Sequence, residues 1–141
     1  MSGKILVDTN VWIYAHLENQ TDSRHEQAAR IVNNPEGLVV SVQVLNEYYS
    51  VMLKNGADDD LIQANIQTIL DRFEICWFTT PLLKRSYGLR NRYRYSCWDS
   101  LILAAALETG CDAIYSEDLR HGQIIETVTI INPFEGMEVH P

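Results

Sequence analysis

The sequence predicts an α/β fold, a three-layer αβα sandwich around a central, mostly parallel sheet of about five strands. Short apolar runs alternate with helix signals along the whole 141-residue chain, the order expected of strands joined by crossover helices. Parallel strands need such crossovers, and right-handed crossovers cover the faces of the sheet. The length suits one domain, residues 1–141, and the apolar content of 46% with 21% charged residues is that of an ordinary globular core.

The first strand is expected at about Lys4–Val7, and a helix from near Asn10 carries Trp12, Ile13 and Leu17. Ser23-x-x-Glu26 reads as a capping box that opens a second helix, closed by the turn Asn34-Pro35-Glu36-Gly37. Leu38–Val40 is the next strand, and Ser41 caps a helix that runs to Asn55-Gly56. Ile62, Ile66, Ile69 and Phe73 recur at helical spacing and define an amphipathic helix after Asp58. Ile75–Thr79 is a third strand. Thr80-Pro81 reads as an N-cap with proline at the first helical position, opening a helix toward Arg94. The run from Asp99 through Leu107 is apolar on nearly every side, a buried helix that stops at Gly110. Ala113–Ser116 and Val128–Ile131 complete the set of strands.

No stretch reaches the roughly 18–20 uncharged apolar residues of a membrane span, and the N-terminus lacks the apolar segment of a signal peptide. Cys76, Cys97 and Cys111 are odd in number and show no CxxC spacing, and His16, His25, His121 and His140 add no zinc-type cluster. These features lead us to expect a reduced, cytoplasmic protein. A net charge of −8 argues against a general nucleic-acid coat. Two bound divalent ions would bring that total from −8 to −4, however, and Lys84, Arg85, Arg90, Arg92 and Arg94 concentrate five of the eleven cations in one segment.

Four acids stand out. Asp8 follows the strand Ile5-Leu6-Val7, Glu47 lies between Val44 and Val51 on one side of a largely apolar helix, Asp99 opens the buried helix, and Asp118 follows the strand that ends at Ser116. A helix cap would explain Asp8, an exposed edge Glu47, and the helix dipole Asp99. The dipole contributes only about 0.3–1 kcal/mol at a typical site, less than burying a carboxylate costs. In a parallel sheet the strand ends share one edge, so these acids converge there. Converging carboxylates without enough lysine or arginine nearby suit a hard divalent cation such as magnesium or manganese. Either Glu117 or Asp118 can be the fourth acid, and Asn10 and Ser116 stand at the same edge as polar helpers.

Other conspicuous features have plainer readings. Asp58-Asp59-Asp60 lacks the spaced ligands of a calcium loop and fits a helix start. The lone histidines fit surface or structural positions, and Trp12, Trp77 and Trp98 fit core or interface positions. The basic segment, interleaved with Tyr87, Tyr93 and Tyr95, can bind single-stranded RNA through Arg85, Arg90, Arg92 and Arg94, or form a solvated or partner-binding face.

Taken in order, Ile5-Leu6-Val7-Asp8-Thr9-Asn10-Val11-Trp12, Ser41-x-Gln43-x-x-Asn46-Glu47, Trp98-Asp99-Ser100-x-Ile102-x-x-Ala105-Ala106 and Tyr115-Ser116-Glu117-Asp118-Leu119-x-x-Gly122 resemble the motifs of PIN-domain nucleases. The resemblance runs from about residue 4 to Asn132-Pro133-Phe134 and is nearest to the VapC-type toxins of toxin–antitoxin pairs. It implies a magnesium- or manganese-dependent endoribonuclease, homodimeric and held inactive by a small antitoxin. It also implies that Asp8, Glu47, Asp99 and Asp118 are the catalytic, metal-binding acids. A non-toxin RNA-processing protein or a catalytically silent binding module is the alternative on the same fold. A phosphoaspartyl phosphatase of the haloacid dehalogenase kind would want a second Asp where Asn10 stands. A receiver-like domain would want paired acids before Asp8, and Met1–Val7 has none.

Overall fold

The computed structural model describes residues 2–17 and 22–137, so His140 lies outside the described residues. Its elements run β1 (Ile5–Val7), α1 (Thr9–His16), α2 (Arg24–Val32), β2 (Leu38–Ser41), α3 (Val42–Lys54), α4 (Asp59–Arg72), β3 (Glu74–Cys76), α5 (Thr80–Tyr93), α6 (Cys97–Glu108), β4 (Ala113–Tyr115), β5 (Ile124–Ile125) and β6 (Val128–Ile131). The sheet order is β3-β2-β1-β4-β6-β5, parallel throughout except for the antiparallel pair β5–β6. Successive connections from β1 to β2 to β3 move one way across the sheet, whereas β3 to β4 moves back past β1. With right-handed crossovers, α1–α4 cover one face and α5–α6 the other, which gives the αβα sandwich.

The direction of winding reverses between β1 and β4, and ligands of open α/β sheets bind at such a switch point, beyond the carboxyl ends of the strands. β1 and β4 are held in register over Ile5–Val7 and Ala113–Tyr115, and the Asp8 N–H donates to the Tyr115 carbonyl at 2.9 Å. This places the residues after Val7 and after Tyr115 side by side.

The core lies on both faces of the central strands. Leu6, Val7, Val39, Val40, Ile114 and Ile130 are fully buried, and so are Leu103, Ala104 and Ala106 of α6. The apolar girdle of α6 is thus explained by its position against β1, β2 and β4. Truncating Leu103 to alanine would cost about 2–5 kcal/mol in such a setting. Among the described residues no helix is long and apolar enough to cross a membrane.

Several boundaries differ from the sequence expectation. A sixth strand, β5, joins the sheet by a tight hairpin whose turn places Glu126 at φ 52, with no glycine or asparagine to announce it. β3 ends at Cys76 and not at Thr79, so Trp77 and Phe78 stand exposed beyond an edge strand. Ser23 has helical dihedrals and makes no side-chain cap, so the capping box does not form. Asp22 instead accepts from the Arg24 N–H at 3.0 Å. The cap of α5 is Thr79, one residue before the expected Thr80, and accepts from Leu82 N at 3.2 Å. α1 stops at His16, leaving Leu17 as its C-terminal cap, and α6 starts at Cys97, ahead of Asp99, with Ser96 as its cap. Ser41 caps α3 as expected, and Asp58-Asp59-Asp60 does open a helix. Of the three tryptophans only Trp12 is buried, while Trp77 and Trp98 are 63% and 64% exposed.

Candidate active site

Asp8, the first residue after β1, caps α1 and is 6% exposed. One carboxylate oxygen accepts from the Thr9 N–H at 2.7 Å and the other from Ser116 Oγ at 2.7 Å. Burial is the largest influence on this acid and pushes its pKa up to about 6, against the pull of those two hydrogen bonds, with Glu47 and Asp118 adding like-charge repulsion. Ser116 is itself fully buried and accepts from the N–H groups of Asp118 and Leu119, both at 3.3 Å, so it forms the turn that follows β4.

The other acids reach the same place from three different elements. Glu47 is half-buried, not fully buried as its apolar neighbours imply. In the second turn of α3 it accepts from Thr9 Oγ1 at 2.7 Å and Gln43 Nε2 at 3.0 Å. Asp99 is likewise half-buried in the first turn of α6, and its pKa is raised, chiefly by desolvation and further by Asp118 and Glu47. Gln43 also donates to the Trp98 carbonyl at 3.1 Å, joining α3 to α6 across the edge of the sheet. Asp118 is exposed and accepts from Asn10 Nδ2 at 2.8 Å.

All four acids line one open cavity of ≈ 230 Å³ together with Thr9, Asn10, Ser50, Val51 and Ile102. No lysine or arginine is in that lining. The structure also separates Glu117 from Asp118. Glu117 turns to the opposite side, where it accepts from Tyr14 Oη at 2.6 Å and pairs with Arg24 Nη1 at 2.9 Å. Arg24 in turn pairs with Asp22 and lies 4.1 Å from the Tyr14 ring centroid.

The donor set is all oxygen, which fits a hard divalent ion. Among the described residues no group of three or more His, Cys, Asp or Glu side chains is placed to hold a metal ion as it stands. An open ring of carboxylates suits an ion that keeps several of its waters, as magnesium does. Burial and the nearby Glu47 and Asp118 disfavour the charged form of Asp8, so a positive charge placed among these acids would be favourable.

The basic segment is divided. Arg85 is committed to Glu108 and Glu126, near the end of α6 remote from Asp99. Arg92 lies over Tyr93, whereas Arg90, Asn91 and Arg94 line a separate cavity at the α5–α6 junction. The three described histidines are structural in their contacts: His16 bonds to Tyr48 Oη, His25 to the Tyr14 carbonyl, and His121 accepts from Asn132 N. Thr9 is a site residue that sequence reasoning did not single out. Its position between Asp8 and Asn10 was the available signal, because the residue after a capping acid begins the helix and faces the same edge.

Over residues 5–126 the chain matches the family model described as the PIN domain, and it belongs to that family. The fold agrees with three solved structures. VapC20 from Mycobacterium tuberculosis, described as a sarcin-ricin loop-cleaving toxin, is 23% identical, with a TM-score of 0.66, over 82% of this chain and 90% of the other. A toxin–antitoxin complex from Klebsiella pneumoniae is 20% identical, with a TM-score of 0.69, over 94% and 99%. DNA-bound VapBC from Salmonella typhimurium is 18% identical, with a TM-score of 0.66, over 90% and 96%. No curated protein matches the chain significantly.

Proposed function

We propose that this PIN-domain protein is a divalent-metal-dependent endoribonuclease and the toxin of a toxin–antitoxin pair. The observation that carries the reading is the single cleft lined by Asp8, Glu47, Asp99 and Asp118 with no basic residue among them. The likeness in fold to a sarcin-ricin loop-cleaving toxin and to toxin–antitoxin complexes supports the choice of RNA as substrate and of a small antitoxin as partner. The homodimer that the motif resemblance implies is part of the same proposal.

Asp8, Glu47, Asp99 and Asp118 would hold magnesium or manganese, which supplies a water of lowered pKa and neutralises charge on the phosphoryl and leaving oxygens. The protein's own part is to fix the acids. Ser116 and the Thr9 N–H hold Asp8 in one orientation from opposite sides. Thr9 and Gln43 hold Glu47, Asn10 holds Asp118 and Ser96 stands by Asp99, so each carboxylate has a defined neighbour before any substrate arrives. No histidine lines the cleft, so no side-chain base competes with the acids for the attacking water. Of the basic segment, Arg90, Arg92 and Arg94 are the arginines left available to RNA.

The deciding experiment is cleavage of RNA with and without magnesium or manganese, comparing the natural protein with Asp99→Asn. Metal-dependent cleavage that the variant loses is the expected result. Metal-independent cleavage, or equal activity in both proteins, would overturn the proposal.

A further inference from the structure

Tyr95 is buried at the α5–α6 junction, and three arginines are arranged about it. Arg90 Nη1 donates to the Tyr95 carbonyl at 2.7 Å. The Arg120 guanidinium lies 4.9 Å from the centroid of the Tyr95 ring, and the Arg120 N–H donates to its hydroxyl at 3.4 Å. Arg94, the preceding residue, caps α5 in the left-handed conformation at φ 66. Glycine is favoured at such a cap, and a bulky residue there carries a conformational cost. Here the position holds a charge, and the turn lets Arg90, Asn91 and Arg94 line one cavity of ≈ 450 Å³.

The charge on this surface is not neutralised. The ion pairs of the described residues use Lys4, Arg24 and Arg85, and none uses Arg90, Arg94 or Arg120. In a chain of net charge −8, acids to pair with them are abundant, yet these three point to none. The cluster is also near two of the acids along the chain. Arg120 follows Asp118 by two residues, and Arg94 precedes Asp99 by five, a distance of at most about 18 Å along the chain.

We infer that Arg90, Arg94 and Arg120, held about Tyr95, seat a backbone phosphate of the RNA strand that crosses the acidic cleft. The inference rests on the nuclease reading for its substrate. Guanidinium forks match phosphate oxygens, and the cavity is lined by arginine and asparagine with no apolar side chain, unlike the centre of a protein–protein interface. The acids alone repel RNA. A cationic seat beside them supplies the attraction and fixes where along the strand the reacting phosphate falls.

The test measures binding of a single-stranded RNA oligonucleotide, without divalent metal, at several salt concentrations. It compares the natural protein with Arg90→Gln/Arg94→Gln and Arg120→Gln, using Arg30→Gln on exposed α2 as a charge-matched control. Each lost phosphate contact should lower the slope of log affinity against log salt by about 0.7, and affinity should fall roughly tenfold at low salt for the double variant. Arg30→Gln should leave the slope unchanged. An unchanged slope in the Tyr95-cluster variants, with RNA cleavage by the natural protein intact, overturns the seat and spares the nuclease. A reduced slope in a protein that cleaves no RNA supports the seat and overturns the nuclease. A changed oligomeric mass with RNA affinity preserved makes the surface a protein interface and overturns the seat.

Discussion

Ser116 Oγ donates a 2.7 Å hydrogen bond to Asp8 Oδ2 and thereby ties the end of β4 to the end of β1 at the point where the sheet reverses its winding. The bond is buried, and the same hydroxyl organises the turn that carries Asp118. One small side chain therefore couples the position of two of the four acids. Ser116→Ala should destabilise the protein by about 1–3 kcal/mol, the cost of a buried acceptor left without its donor. It should also weaken metal binding, because Asp8 loses one of the contacts that favour its charged form. Serial measurement of denaturation midpoint and calorimetric metal affinity checks both effects. Threonine at this position, which keeps the hydroxyl, should recover most of the affinity.

Asp8 gives a pH-dependent stability whose sign is fixed by its raised pKa of about 6. The unfolded chain releases this proton near 3.9. The associated stability is therefore fully present below that value and is lost as pH rises through about 6 in the metal-free protein. Asp8→Asn removes the penalty. It should be nearly neutral near pH 4 and stabilising by about 1–3 kcal/mol at pH 7, while abolishing cleavage. Denaturant titrations of both proteins at the two pH values test this. A variant less stable than the natural protein at pH 7 would contradict it.

Binding of a divalent ion requires the ionised form of Asp8 and should release protons where that group is still partly protonated. Titration calorimetry in buffers of different ionisation enthalpy should find roughly half a proton released from Asp8 near pH 6 and almost none at pH 8. Proton release that is the same at both values would place the ion elsewhere.

Glu117 and Asp118 are adjacent acids with different surroundings, so their amide variants should fail differently. Asp118→Asn should lower metal affinity and cleavage with little change in stability, as expected for an exposed side chain facing the cleft. Glu117→Gln breaks a half-buried pair with Arg24 and should cost about 1–3 kcal/mol of stability. Its metal affinity at low temperature, where the protein remains folded, should be close to natural. Thermal unfolding measured beside metal titration distinguishes the two patterns.

Expression without an antitoxin should arrest the growth of a bacterial host, and Asp8→Asn should relieve the arrest at equal protein level. Growth curves with quantified expression provide the readout. Arrest that persists at full strength in the variant would point to capture of a cellular partner and against RNA cleavage.

The sequence by itself determined what depends on neighbours along the chain. Ile5-Leu6-Val7 followed by Asp8, and Ala113-Ile114-Tyr115-Ser116 followed by acids, mark strand ends because a run of apolar residues stops at a polar one. The helix face of Ile62, Ile66 and Ile69, and the uniformly apolar α6, are likewise local patterns. Parallel strands with helical crossovers then require those strand ends to share an edge, which is why the sequence leads one to expect the four acids together. Tertiary structure decided the rest. Strand order put β1 beside β4, and so brought Ser116 to Asp8. The turn after β4 sent Glu117 toward Tyr14 and Arg24 and left Asp118 in the cleft, a choice between consecutive residues that spacing does not make. Glu47 came to lie half-buried beside Thr9 of α1 and Gln43 of its own helix. Arg120 came to lie over Tyr95, 25 residues away in sequence. Such pairings follow from how distant segments pack, and a polar side chain's direction within a turn is set by the partners it finds there.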